Sequence, residues 1–210
     1  MRDKLLNRRV FSSSLLLSSL APGVALGQAA AATLGQNAPD FSALDTAGKP
    51  HRLADFKGKL VVLEWTNPGC PFVRKHYSGN MQSLQKEFTA KGVVWLAINS
   101  TESQSADYLQ PKKMAAWLSE KQASPSATLM DESGKIGQLY GAKTTPHMYI
   151  ISPQGKLIYA GAIDSIASAR TDDIKTATNY VRQGLSESLS GKAISVASSR
   201  AYGCSVKYKT

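Results

Sequence analysis

Two apolar runs of strand length, separated by a segment with helical periodicity, constrain the fold of this chain more than any other feature. The runs are Leu60–Trp65 and Val93–Ile98, and such continuous apolar stretches are typical of strands buried on both faces. Between them, apolar residues recur at spacings of four and three from Pro71 until Lys91-Gly92. This order of strand, helix and strand predicts an α/β protein.

The rest of the chain predicts further elements on both sides of this unit. A small hairpin is expected before it, around a turn at Thr46–Lys49. After it, the sequence predicts a helix from Pro111, a strand at Ala127–Met130, a short helix at Ser133–Tyr140, a hairpin of His147–Ile151 with Leu157–Ala162, and a last helix at Asp172–Leu189. These elements imply an α/β sandwich with a mixed central sheet. We expect residues 33–190 to form this domain and residues 191–210 to form an extended tail.

The first 32 residues predict an export signal rather than a part of the fold. They have a basic start, a weakly apolar middle and an end of small residues, which is the order found in signal peptides. Asn7-Arg8-Arg9-Val10-Phe11 resembles the twin-arginine motif, so we expect a periplasmic protein. The apolar middle, Ser12–Leu20, is too short and polar to span a bilayer, and we expect no membrane span after cleavage. A disordered basic tail is the alternative.

Charge and cysteine content narrow the function classes. The chain has 25 Lys and Arg against 15 Asp and Glu, a net charge of +10. These residues are scattered, without blocks of like charge or interleaved aromatic residues, so we expect no nucleic-acid partner. The two cysteines are Cys70 and Cys204, and an even count in an oxidising compartment favours pairing.

Five segments of the chain carry a family resemblance: APDFSALDTAGKPHRLADFKGKLVVLEW, TNPGCPFVRKHY, TPHMYI, YAGAID and YGCSVKY. They resemble the redoxin branch of the thioredoxin superfamily, and are most similar to its peroxiredoxin-like 1 group, over residues 36–210. The resemblance implies a thioredoxin-like three-layer sandwich with an N-terminal β-hairpin and Cys70 at a helix N-terminus. It also implies that Thr145-Pro146 forms a cis-proline loop facing Cys70; an ordinary turn proline is the alternative. Glu64 lies where thioredoxins have a buried acid that moves protons during thiol exchange; a glutamate on the exposed side of the strand is the alternative.

The sequence departs from the family patterns at two positions. Thioredoxins carry a second cysteine where this chain has Val73, so Cys70 has no neighbouring partner. Peroxiredoxins carry Thr or Ser three residues before their peroxidatic cysteine, where this chain has Asn67. Cys70 aligns instead with the first cysteine of a thioredoxin, so the resemblance does not by itself imply peroxidase chemistry.

Cys70 is the candidate nucleophile. A thiolate at a helix N-terminus is stabilised by free backbone amides and the helix dipole, and Pro71 suits the first turn of that helix. Arg74, Lys75 and His76 add positive charge to the same segment. The alternative is an inert cysteine at the end of a strand.

Cys204, in the tail, is the candidate partner of Cys70. It would attack an oxidised or mixed-disulfide Cys70; a permanent structural disulfide and pairing between chains are the alternatives. We therefore expect a thiol–disulfide oxidoreductase acting on protein or small-molecule thiols and disulfides, with a thiol peroxidase acting on peroxides as the second interpretation. The third is a scaffold or metal-binding protein, with His147 near Cys70 as a soft ligand pair. No cofactor is expected, and no metal in the favoured interpretation.

Overall fold

The computed structural model describes residues 31–209, so the predicted export signal lies almost entirely outside the described residues. Nine strands are assigned in this part of the chain: β1 Ser42–Asp45, β2 Pro50–Arg52, β3 Val61–Trp65, β4 Val94–Asn99, β5 Ala127–Met130, β6 Thr144–Thr145, β7 His147–Ile151, β8 Leu157–Gly161 and β9 Cys204–Ser205. The α-helices are α1 Pro71–His76, α2 Asn80–Ala90, α3 Pro111–Glu120, α4 Lys135–Tyr140 and α5 Tyr180–Leu189. Two short 3-10 helices, Leu53–Phe56 and Thr171–Lys175, complete the assignment.

Seven strands form one mixed sheet in the order β2-β1-β5-β4-β3-β7-β8. The three central strands β3, β4 and β5 are parallel, whereas β7 and β8 add to them as the predicted antiparallel hairpin. The N-terminal hairpin joins the other edge, where β1 pairs antiparallel with β5. The mixed sheet and the N-terminal hairpin predicted from the sequence are therefore confirmed.

Apolar side chains pack on both faces of the sheet, which gives three layers. One face packs against α1, α2, α3 and α5, in a cluster that includes Val62, Cys70, Tyr77, Trp95 and Ile150. The other face packs against α4 and the N-terminal segment, in a cluster that includes Leu63, Trp65, Leu96 and Tyr149. Because side chains alternate along a strand, Glu64 follows Val62 and points to the face that carries Cys70.

Two helices predicted as continuous are broken. The predicted helix from Pro71 to Lys91 divides into α1 and α2 at Gly79, whose φ of 134° lies in a region that favours glycine. Its amide donates to the side chain of Gln82 at 3.0 Å, which caps α2. The apolar spacing continues across the break because both helices pack on the same face of the sheet.

The last helix begins later than predicted. Instead of a helix over Asp172–Leu189, the chain forms a 3-10 turn and then α5, which starts at Tyr180. The side chain of Asn179 accepts a hydrogen bond from the amide of Arg182 at 2.9 Å, so Asn179 is an N-cap. The prediction missed this capping signal.

Within residues 31–209, none of the helices combines the length and the apolar character that crossing a bilayer requires.

Candidate functional site

Cys70 lies where the predicted strand–helix junction places it, at the N-cap of α1 with Pro71 in the first turn. The preceding loop holds it there, because the carbonyl of Asn67 accepts the Cys70 amide at 3.0 Å. The Asn67 side chain accepts the Gly69 amide at 2.7 Å and donates to the hydroxyl of Thr101 at 3.1 Å. Both polar ends of this side chain are therefore used to fix the loop.

The sulfur of Cys70 faces the loop that precedes β7. Cys70 is only 3% exposed, and its Sγ donates to the carbonyl oxygen of Thr145 at 3.0 Å. The Thr145-Pro146 peptide bond is cis, as the resemblance implied. Thr145 and Pro146 thus lie against the candidate nucleophile, which brings together three of the residues selected from the sequence.

The C-terminal tail (residues 191–209) returns to this loop and brings Cys204 to the same place. β9 pairs antiparallel with β6, with Cys204 opposite Thr145 and Ser205 opposite Thr144. Both cysteines are present as thiols, and Cys204 is partly exposed whereas Cys70 is buried. The disulfide between them stays a prediction; the structure shows that both cysteines contact the same residue, Thr145.

The pKa values of the two thiols are shifted in opposite directions. Burial raises the pKa of Cys70, but hydrogen bonds to its sulfur from the Cys204 side chain and the Val73 amide outweigh burial, so the pKa lies below its ordinary value. Burial raises the pKa of Cys204 to about 12, and the adjacent Cys70 sulfur adds to this rise. The Cys70 thiol therefore ionises at a lower pH than the Cys204 thiol, and the thiolate is the form of cysteine that reacts in disulfide exchange.

Glu64 is fully buried on the Cys70 face of the sheet, as its apolar strand suggested. One carboxylate oxygen accepts the Tyr77 hydroxyl at 2.7 Å, and the other accepts the Trp95 indole N–H at 2.7 Å and the Gln85 amide at 3.2 Å. Burial raises the pKa of Glu64 above its ordinary value, although these donors oppose the rise. A buried acid with a raised pKa suits proton transfer to and from thiols.

Glu64→Gln should stabilise the protein more at pH 8 than at pH 5. Because the folded-state pKa of Glu64 is raised, the folded state binds more protons than the unfolded state above the unfolded pKa, and stability falls as pH rises. Glutamine has nearly the same shape: its amide oxygen can still accept from Trp95 and Gln85, and its NH2 group donates to the Tyr77 hydroxyl, but it does not titrate. We expect the variant's advantage in unfolding free energy to grow by about 1–3 kcal/mol between the two pH values. Urea titrations measure this, and a constant difference would contradict a raised pKa.

Lys75 and His76 were predicted to add positive charge beside Cys70, but the structure assigns them to a different contact. Both side chains are buried at the end of α1, where Lys75 Nζ lies 3.3 Å and His76 Nε2 3.8 Å from the carboxylate of Asp164. The Tyr202 hydroxyl donates to the same carboxylate and also lies 3.1 Å from His76 Nε2. These four side chains form a buried cluster that joins α1 to the tail, two residues before Cys204.

The sequence analysis did not identify Asp164. It lies in the YAGAID segment, and its contacts to α1 are 89 positions away in sequence. The sequence showed only an acidic residue just after an apolar strand, and such a residue is as compatible with a surface position as with a buried ion pair. Arg74, the remaining cation of this helix, donates its Nε–H to the carbonyl of Pro68 at 2.8 Å and so braces the Cys70 loop.

His147 does not join Cys70 as a ligand pair. In the β3–β7 register His147 is opposite Trp65, and its ring lies 4.5 Å from that of Tyr149, tilted by 39°. Trp65 and Tyr149 both belong to the apolar cluster on the other face of the sheet. Among the described residues, no three His, Cys, Asp or Glu side chains are grouped so that they could hold a metal ion.

Comparison with known proteins identifies a family match and relatives of this chain. Residues 34–160 match the AhpC/TSA family. The thiol-disulfide oxidoreductase ResA of Bacillus subtilis is 28% identical over 124 residues, which is 59% of this chain and 64% of ResA. The chain thus aligns with less than two thirds of the length of that relative.

Two solved structures extend the comparison. A hypothetical protein from Sinorhizobium meliloti superposes with a TM-score of 0.75 at 25% identity, covering 87% of this chain and 98% of its own. The thioredoxin domain of a thiol-disulfide oxidoreductase from Bacteroides vulgatus superposes with a TM-score of 0.50 at 20% identity, covering 69% and 96% of the two chains. The thioredoxin-like fold implied by the sequence is confirmed. The match over residues 34–160 covers more than half of the chain, so the protein belongs to the AhpC/TSA family.

Proposed function

We propose that the protein is a thiol–disulfide oxidoreductase in which Cys70 is the nucleophile and Cys204 its partner. One observation carries the proposal: the sulfur of Cys70 contacts the carbonyl of Thr145, and Cys204 pairs with the same residue from the tail. The similarity to ResA, whose name describes this activity, supports it. The redox pair would then consist of two residues that are 134 positions apart in the sequence.

The reaction would proceed in two exchange steps. The Cys70 thiolate attacks one sulfur of a substrate disulfide, forms a mixed disulfide and releases the first substrate thiolate. Cys204 loses its proton and attacks the Cys70 sulfur, which forms the Cys70–Cys204 bond and releases the second thiolate. The substrate gains two electrons and the protein loses two. Glu64, buried on the same face of the sheet, would exchange protons with the thiols. The backbone of Thr145, turned by Pro146, would position the reacting sulfur.

The environment of Asn67 favours disulfides over peroxides as substrates. In peroxiredoxins this position carries a hydroxyl residue, whereas here the amide side chain is occupied by Gly69 and Thr101. Asn67 therefore has a structural role and supplies no hydroxyl beside Cys70. A sulfenic acid on Cys70 after treatment with hydrogen peroxide would instead favour the peroxidase interpretation.

The location and the domain division are also part of the proposal. The twin-arginine-like segment supports export to the periplasm. That compartment is oxidising, so a reversible Cys70–Cys204 disulfide would form there. Residues 33–190 would be the catalytic domain, and residues 191–210 a tail that supplies Cys204.

The reaction of the reduced protein with glutathione disulfide tests this function. We expect an intramolecular Cys70–Cys204 disulfide and release of two glutathione molecules per protein, because Cys204 is positioned to displace the first adduct. Peptide mapping after acid quenching identifies the bond, with protein alkylated beforehand as the control. Disulfide-linked dimers, or two thiols that remain free, would contradict the proposal.

A further inference from the structure

The tail is built closely into the fold on both sides of Cys204. A Cβ atom on Gly203 would overlap the carbonyl oxygen of Thr145, so only glycine fits where the tail crosses the Thr145 loop. Upstream, a Cβ on Gly161 would lie 2.7 Å from the amide of Ser199. Real Cβ atoms do not approach other heavy atoms this closely, so any side chain at Gly161 or Gly203 would displace the tail.

Hydrogen bonds hold the tail downstream of Cys204 as well. The amide of Val206 donates to the carbonyl of Lys143 at 3.1 Å, and the carbonyl of Lys207 accepts the amide of Glu102 at 2.9 Å. The Tyr208 hydroxyl donates to the carbonyl of Ala142 at 2.7 Å, and its ring lies over two glycines of the α4 region, Gly134 and Gly137. The Tyr202 hydroxyl donates to Asp164, so the segment is anchored at both ends.

The anchored tail occupies the backbone edge next to the nucleophile. One way in which an extended polypeptide docks is by pairing with an exposed strand edge, and β6 is the edge that faces Cys70. In this structure that side of β6 is taken by β9, with Cys204 opposite Thr145. Cys70 is 3% exposed behind it. A protein disulfide would have to displace the tail, whereas a small disulfide needs only a local opening around Cys204.

We propose that the tail excludes polypeptides from Cys70, and that the disulfides which react there directly are those of low-molecular-weight thiols. This inference rests on the proposed function and specifies its substrate class. Gly203 is the residue that sets the selectivity, because it allows the tail to lie flat against Thr145. Displacing the tail should open the same cysteine to protein disulfides.

The first exchange step isolates this effect, and it can be measured in a Cys204→Ser background, where the mixed disulfide on Cys70 accumulates. The probes are glutathione disulfide and insulin, and mass spectrometry follows both adducts. We expect the glutathione adduct to form at least about tenfold faster than the insulin adduct. Gly203→Ala should raise the insulin rate about tenfold or more, because the rate scales with the fraction of molecules in the open state.

Gly191→Ala is the matched control. Gly191 also lies in the tail with a positive φ of 72°, but a Cβ there would meet nothing within 4 Å, so both rates should stay unchanged. Tyr208→Ala releases the tail from its other anchor and should reproduce the effect if Gly203→Ala folds poorly. Equal insulin rates with and without these substitutions would overturn the inference. Failure of glutathione disulfide to modify Cys70 in every variant would overturn the proposed function, and the inference with it.

Discussion

Replacing Cys70 by serine is expected to lower kcat/KM for disulfide exchange by at least about a thousandfold, because a serine hydroxyl is not ionised at neutral pH and cannot take part in disulfide exchange. Serine is close to cysteine in size, so the loop held by Asn67 and the contact with Thr145 should be retained. Turnover of glutathione disulfide with dithiothreitol as reductant measures the effect. Substantial residual turnover would show that Cys70 is not the nucleophile.

Cys204→Ser is the paired variant, and it should fail at a different step. The Val73 amide still lowers the pKa of Cys70. Cys70 therefore still attacks the substrate, but no second thiol releases the adduct. A mixed disulfide on Cys70 should therefore accumulate, with a mass increase that corresponds to one glutathione. Normal turnover by this variant would mean that Cys204 serves another purpose.

Asp164→Asn is expected to have the largest effect on stability. Its carboxylate compensates the charge of Lys75, whose side chain is 0% exposed, and Asp164 itself is 3% exposed. Removing one partner of a buried ion pair leaves the other charge uncompensated, which costs about 3–5 kcal/mol. Because Tyr202 also bonds to Asp164, we expect the tail to detach before the rest of the domain unfolds.

Urea unfolding measures this loss, and Asp172→Asn provides its control. Asp172 pairs with Lys175 at 3.2 Å, but both side chains are at least 80% exposed, so this substitution should change the unfolding free energy by less than about 1 kcal/mol. Similar small losses in both variants would contradict the role assigned to the buried cluster. Hydrogen exchange of the Cys204 amide would report detachment of the tail separately from global unfolding.

The sequence predicted the strands well because apolar runs report burial directly. Leu60–Trp65 and Val93–Ile98 correspond to β3 and β4 within one residue at each end. Helix boundaries were less accurate, since the apolar spacing does not reveal a backbone break: it continues from α1, which ends at His76, into α2, which begins at Asn80. The cap at Asn179 was visible in the sequence, but the apolar residues on either side of it gave a stronger signal.

The candidate site was predicted in part, and the missing part depends on tertiary contacts. Cys70 at the helix start was expected from the local pattern and the cis-proline loop from the family resemblance, whereas the sequence left a buried and an exposed position open for Glu64. The register that places Cys204 opposite Thr145 was not predictable, because a tail that loops back carries no periodicity. Lys75 was predicted to add positive charge beside Cys70, since its partner Asp164 is remote in sequence.

The central claim is that Cys70 and Cys204 form a working redox pair, and their reduction potential tests it most directly. The protein is equilibrated in glutathione and dithiothreitol buffers of known potential, and the disulfide fraction is read from acid-quenched peptide maps. The account predicts a potential above about −300 mV, in the range of catalytic disulfides. A potential below about −300 mV would mean that the bond only fixes the tail, and would contradict the account.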